Sequence, residues 1–127
     1  MKIVKTNAMR ILEDYKISYE GMSYEDHDGK IDGISVAEKI NEDPNRVFKT
    51  LVTKGKDNNF YVFVIPVAEE LDWKKGAKVA GEKKIEMVPV NDLKKITGYI
   101  RGGCSPIGMK KKYPTFIDVQ AENHEQI

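Results

Sequence analysis

Lys49 stands inside Val47-Phe48-Lys49-Thr50-Leu51-Val52, where strand alternation puts its ammonium on the same face as Val47 and Leu51. A lysine on an apolar-facing row must either snorkel to solvent or meet an anion. Its compact charge with three donors suits an anionic group. A second candidate is the stretch Gly98-Tyr99-Ile100-Arg101-Gly102-Gly103-Cys104-Ser105-Pro106-Ile107-Gly108, which holds four glycines and one proline. Glycine admits positive φ and lets a ligand approach bare backbone, while Pro106 fixes one φ and has no N–H. Cys104 invites a nucleophile reading, but no histidine lies near it in sequence, and His27 and His124 both fall in polar segments.

Charge adds a further constraint. The whole chain of 127 residues carries a net charge of +1, yet Trp73 to Pro114 holds ten lysines and one arginine against Glu82, Glu86 and Asp92, a local excess of +8. Positive charge clustered in this way, with Lys110-Lys111-Lys112 at its end, fits a polyanionic partner, and Lys110, Lys111 and Lys112 are the candidate phosphate contacts. One cysteine and two histidines cannot build an ordinary zinc site, and no cofactor or structural metal is expected. The longest apolar run, Phe60 to Ile65, is too short to span a bilayer, and the N-terminus lacks the hydrophobic stretch of a signal peptide. A cytoplasmic protein without a membrane partner is expected.

The elements that position these residues follow from periodicity and punctuation. Thr6 or Asn7 caps a helix whose Ala8, Ile11, Leu12 and Tyr15 form one stripe and which ends near Lys16. Ile17, Tyr19, Met22 and Tyr24 read as an extended segment with a bulge at Gly21, followed by a loop from Tyr24 to Ile34. Ser35-Val36-Ala37-Glu38 reads as a capping box, Asp43-Pro44 as a turn and Val47 to Thr53 as a strand. Phe60 to Ile65 is unbroken apolar sequence, which predicts a central strand buried on both faces. Asp72 caps a helix bearing Trp73, Ala77 and Ala80 and closed by Gly81, and Ile85 to Val88 is a short strand. Asn91 or Asp92 caps a last helix that Gly98 ends, and Thr115-Phe116-Ile117 is a strand beyond the glycine-rich loop; the pair Tyr99-Ile100 favours a strand before it. The result is a single α+β domain over 1–127 around a curved, mixed sheet.

The loop from Gly98 to Gly108 closely resembles the signature loop of the YbaK/EbsC family of aminoacyl-tRNA deacylases, which is related to the editing domain inserted in prolyl-tRNA synthetases. The resemblance extends to Lys5-Thr6-Asn7-Ala8, Arg46 to Val52, Val64-Ile65-Pro66-Val67, Glu70-Leu71-Asp72 and Gly81 to Met87, and so runs from about Lys5 to about Asp118. It implies a partly closed barrel with flanking helices and trans-editing of mischarged tRNA, with Cys-tRNA(Pro) as substrate. Ala-tRNA(Pro), or an inactive module that binds aminoacyl-tRNA or a synthetase, is the alternative. It implies that Lys49 and Gly102 are the functional pair, Lys49 holding the substrate and the Gly102 backbone orienting the ester. Tyr24, Ile31, Gly103, Ser105 and Pro106 would line the substrate position, with Ile31 where some relatives carry phenylalanine. The partners implied are the aminoacylated 3′ end of tRNA and prolyl-tRNA synthetase. In Cys-specific members the esterified cysteine's own thiol attacks its carbonyl, so no protein nucleophile is required. Relatives continue for about another strand and helix beyond the position of Ile127, and a C-terminally shortened pocket is therefore expected.

Overall fold

A computed structural model describes residues 5–25, 28–30, 32–101 and 103–127. Helix α1 spans Asn7–Asp14 because Thr6 Oγ1 accepts the Met9 N–H at 3.2 Å, satisfying one of the free amides at the helix start. Ala8, Ile11 and Leu12 are half-buried as their spacing predicts, but Tyr15 is 75% exposed and falls outside the stripe. Helix α2 spans Gly33–Lys39 and starts earlier than the capping box at Ser35 predicts. Asp32 is its cap, accepting the Ser35 N–H at 3.1 Å and the Ser35 hydroxyl at 2.7 Å, so Ser35 sits inside the first turn.

Strands β1 (Phe48–Lys54) and β2 (Phe60–Pro66) form an antiparallel hairpin with Leu51 opposite Phe63 and Thr53 opposite Tyr61. Asp57 and Asn58 turn its corner with φ of 57° and 56°, a conformation that short polar side chains tolerate. Residues Val62 to Pro66 are buried, whereas Phe60 and Tyr61 at the hairpin end are half-buried. A fully buried valine such as Val62 contributes about 1.5–3 kcal/mol relative to exposure. Buried Thr53 donates its hydroxyl to the Tyr61 carbonyl at 3.0 Å, so no polar atom is stranded there.

Helix α3 (Trp73–Ala80) is capped by Asp72 and closed by Gly81 at φ 76°. It packs onto the Leu51–Phe63 face through Gly76, where a Cβ would lie 3.1 Å from Ile85 and 3.4 Å from Phe63. Phe63 stacks on Phe116 at 5.4 Å across this core. Strand β3 (Glu86–Met87) pairs with β1, and β4 (Thr115–Ile117) pairs with β2 in parallel, giving the order β3-β1-β2-β4. The central position predicted for the Phe60–Ile65 run holds. The sheet is mixed but open, with β3 and β4 as its edges, so the partial barrel closure is not formed among the described residues.

Helix α4 (Val90–Thr97) begins after Pro89, not at Asn91 or Asp92. Proline supplies no capping side chain, but its extended ψ of 139° sends the chain into the helix, and Asp92 lies in the first turn where a carboxylate favours the helix dipole. Two further expectations fail. Ile17 to Tyr24 forms no strand, because neither sheet edge extends to it, and Tyr99-Ile100 is not a strand either. Among the described residues no helix is long and apolar enough to cross a membrane.

Candidate functional site

The glycine-rich loop hangs between α4 and β4, and specific side chains fix its shape. Gly98 ends α4 at φ 87° and donates its N–H to the Lys94 carbonyl at 2.8 Å. Thr97, fully buried, donates to the Leu93 carbonyl at 2.8 Å and accepts the Tyr99 N–H at 3.0 Å, which turns the chain out of the helix. Tyr99 then reaches across the loop, its hydroxyl donating to the Ile107 carbonyl at 2.7 Å. Ser105 Oγ accepts the Ile107 N–H at 3.1 Å, and the Lys110 N–H bonds the Thr97 carbonyl at 3.0 Å to close the base. Gly103 is exposed and donates its N–H to Ile100, while Pro106 is half-buried.

Helix α1 supplies the outer anchor. Asn7 donates its side-chain amide to the Gly108 carbonyl at 3.1 Å. Gly108 has φ 80°, and a Cβ there would meet Asn7 Nδ2 at 2.5 Å, Ile11 Cδ1 at 2.7 Å and the Tyr99 hydroxyl at 3.0 Å. Only glycine satisfies both the backbone angle and this approach. Asn7 and Tyr99 were legible in sequence only as a cap candidate and a strand former. Their place in the two matched segments, Lys5 to Ala8 and Gly98 to Gly108, was the available signal.

Lys49, the second residue of β1, sits opposite Ile65 and is half-buried. Its side chain has no hydrogen-bond or ion-pair partner among the described residues. With its stem half-buried and no counter-ion among the described residues, its ammonium is available to an anion. No hydrogen bond or ion pair joins Lys49 to the glycine-rich loop among the described residues. Tyr24 is half-buried beside α2, where Lys39 Nζ lies 5.7 Å from its ring centroid. The same ammonium gathers the preceding loop by donating to the Glu25 carbonyl at 2.7 Å, Asp28 Oδ1 at 2.8 Å and the Lys30 carbonyl at 2.9 Å. Its hydrogen bond, with the Lys30 N–H, holds the Asp28 carboxyl below the usual carboxylate range. Gly102, Ile31 and His27 lie outside the described residues.

Cys104 is half-buried, and burial pushes its thiol above the ordinary range, opposed by a hydrogen bond with Thr97. A thiol that stays protonated is a poor nucleophile. Lys110, Lys111 and Lys112 are all exposed where the chain leaves the loop.

The profile of the aminoacyl-tRNA editing domain family matches residues 32–127, which include β1 and the whole loop. The chain belongs to this family. The chain is 47% identical over 123 residues to an Enterococcus faecalis protein named as a candidate Cys-tRNA(Pro)/Cys-tRNA(Cys) deacylase, EbsC; the match takes in 97% of this chain and 75% of that protein. Its fold is similar to the crystal structure of a candidate trans-editing enzyme for prolyl tRNA synthetase, with a TM-score of 0.66 at 21% identity over 72% of this chain and 57% of that one. It is also similar to the hypothetical protein APE2540, with a TM-score of 0.73 at 17% identity over 86% of this chain and 71% of the other.

Proposed function

We propose that this chain hydrolyses the ester of mischarged aminoacyl-tRNA in trans, with Cys-tRNA(Pro) as its substrate, in the cytoplasm where translation runs. The observation that carries this reading is the 47% identity, over nearly the whole chain, with a protein named for that reaction. The geometry supports it through the uncompensated ammonium of Lys49 and the cross-braced loop. Lys49 holds the terminal phosphate or the ester carbonyl, where a fixed positive charge favours the developing oxyanion. The Gly102 and Gly103 backbone, with Ser105 and Pro106, orients the ester, and Tyr24 and Ile31 border the aminoacyl group. The tRNA is selected either by this chain's basic surface or by a prolyl-tRNA synthetase that presents it.

In this mechanism the substrate supplies its own nucleophile. The cysteinyl thiol loses its proton to solvent and its sulfur bonds to the carbonyl carbon. The ester C–O bond breaks, the ribose oxygen takes up a proton, and the amino acid leaves as a thiolactone that water then opens. An ordinary thiol ionises near pH 8.5, so an appreciable fraction is thiolate near neutrality, unlike a hydroxyl. The enzyme contributes proximity and charge.

The test is single-turnover deacylation of Cys-, Ala- and Pro-charged tRNA(Pro). Cysteine is expected to be released fastest, and a preference for alanine would replace the substrate assignment. Cys104→Ala is expected to keep its rate within about threefold, because a raised, half-buried thiol is not the attacking group. A hundredfold loss, about the size of a direct catalytic role, or a cysteinyl group trapped on Cys104, would move the nucleophile onto the protein.

A further inference from the structure

Away from Lys49, the structure contains a groove of about 370 Å³ whose walls come from β1, α4 and the segment after the glycine-rich loop. Phe60 and Tyr113 form its aromatic floor, packed edge to face at 5.7 Å, and Lys54, Lys95, Lys110 and Lys111 stand around it. Asp92 is the acidic residue on this lining, and Lys54 is paired with Glu86 at 3.6 Å. The side chains of Lys95, Lys110 and Lys111 have no ion-pair or hydrogen-bond partner among the described residues. Cations distant in sequence have thus been gathered around one concave surface, where their mutual repulsion is relieved by a bound anion.

The same wall is built on the loop. Lys110 lies against Gly98, where a Cβ would meet its Cγ at 3.2 Å, and its backbone N–H closes the loop base. The groove continues past the hairpin turn at Asn58 and Asn59 towards Pro114, with Phe60, Lys111 and Tyr113 shared along its length. Lys49 and Lys54 are near opposite ends of β1, about 17 Å apart at the usual strand rise, so the groove is separate from the lysine assigned to the ester.

We propose that this groove is a second binding site, which takes the sugar-phosphate backbone of the tRNA acceptor end over its aromatic floor. It rests on the tRNA reading above. Unpaired lysines beside half-buried aromatic rings that line a groove are the chemistry of single-stranded nucleic acid binding, whereas an acidic peptide would use the lysines and leave the rings idle. Lys112, exposed but outside the lining, contributes less than Lys110 and Lys111.

The experiment measures binding of an uncharged, fluorescein-labelled acceptor-stem hairpin with a single-stranded 3′ end, by anisotropy across a salt series. Lys95→Ala and Lys111→Ala are each expected to reduce the salt slope by about 1. Together they weaken binding about tenfold or more. Lys78→Ala, on exposed α3 surface, serves as the control and leaves the slope unchanged. A double variant indistinguishable from this control would overturn the groove assignment even if the wild type deacylates normally. Displacement of the hairpin by polyglutamate as readily as by unlabelled RNA would also overturn it, in favour of an acidic protein. Salt-dependent hairpin binding that is lost in the double variant, from a wild type that releases no amino acid, would uphold the groove and remove the hydrolytic reading.

Discussion

Lys49→Met is expected to lower single-turnover deacylation by about two to three orders of magnitude, the usual cost of removing one group that stabilises a developing oxyanion. Methionine keeps an unbranched stem in the half-buried position opposite Ile65, so packing beside Leu51 survives while the charge is lost. Because no counter-ion balances this ammonium among the described residues, folding stability should hold or rise slightly. Activity and stability therefore move independently. Lys49→Arg should fail nearly as badly, since a planar fork does not reproduce a compact ammonium. Rates near wild type in both variants, with the fold intact by circular dichroism, would remove Lys49 from the site.

The second large effect is expected at Gly108. Gly108→Ala places a side chain at φ 80° and drives its Cβ to 2.5 Å from the Asn7 amide, with Ile11 and Tyr99 also within contact distance. The angle alone costs about 1–2 kcal/mol, and the clash brings the total to roughly 2–4 kcal/mol, read as a fall in urea midpoint. The loop must then leave its anchor, so deacylation should fall together with stability. Asn7→Ala separates the two effects. It removes the hydrogen bond to the Gly108 carbonyl without a clash, at about 1 kcal/mol, leaving a folded protein with a looser loop and a reduced rate. An unchanged midpoint and rate in Gly108→Ala would show that the loop does not depend on this packing.

The Phe60–Ile65 run gave away its strand because an unbroken apolar stretch bounded by turn residues has few alternatives to a buried central position. The Asp72 cap and the glycines at 81 and 98 were equally readable, since each is a local solution to a helix end. Alternation misled at Ile17 to Tyr24, where a suitable pattern lacked a strand to pair with, and pairing is a tertiary fact. The cap at Asp32 was missed because Ser35 offered the same chemistry three residues later, and the two share hydrogen bonds. In the site, Lys49 was conspicuous as a charge on an apolar row. Asn7, Lys39 and Tyr99 were not, because each acts on backbone groups brought near by folding. No spacing rule encodes a bond between Asn7 and Gly108.

That bond also determines when the site exists. Helix α1 carries no buried residue, although its Asn7 holds the far end of the loop across 101 positions of sequence. Such an element detaches at a free energy below that of global unfolding, while the β1–β2 hairpin and its buried valines stay paired. The contact is of very high sequence separation, so its loop-closure entropy is met late in folding, after the hairpin and the α3 core have formed. The folded ensemble is accordingly expected to contain a minor species with an intact sheet and a released loop. Amides of α1 and of the loop should share one rate of hydrogen exchange, faster than those of Val52 and Val62, and the population of that species sets how much of the protein is ready to act at any instant.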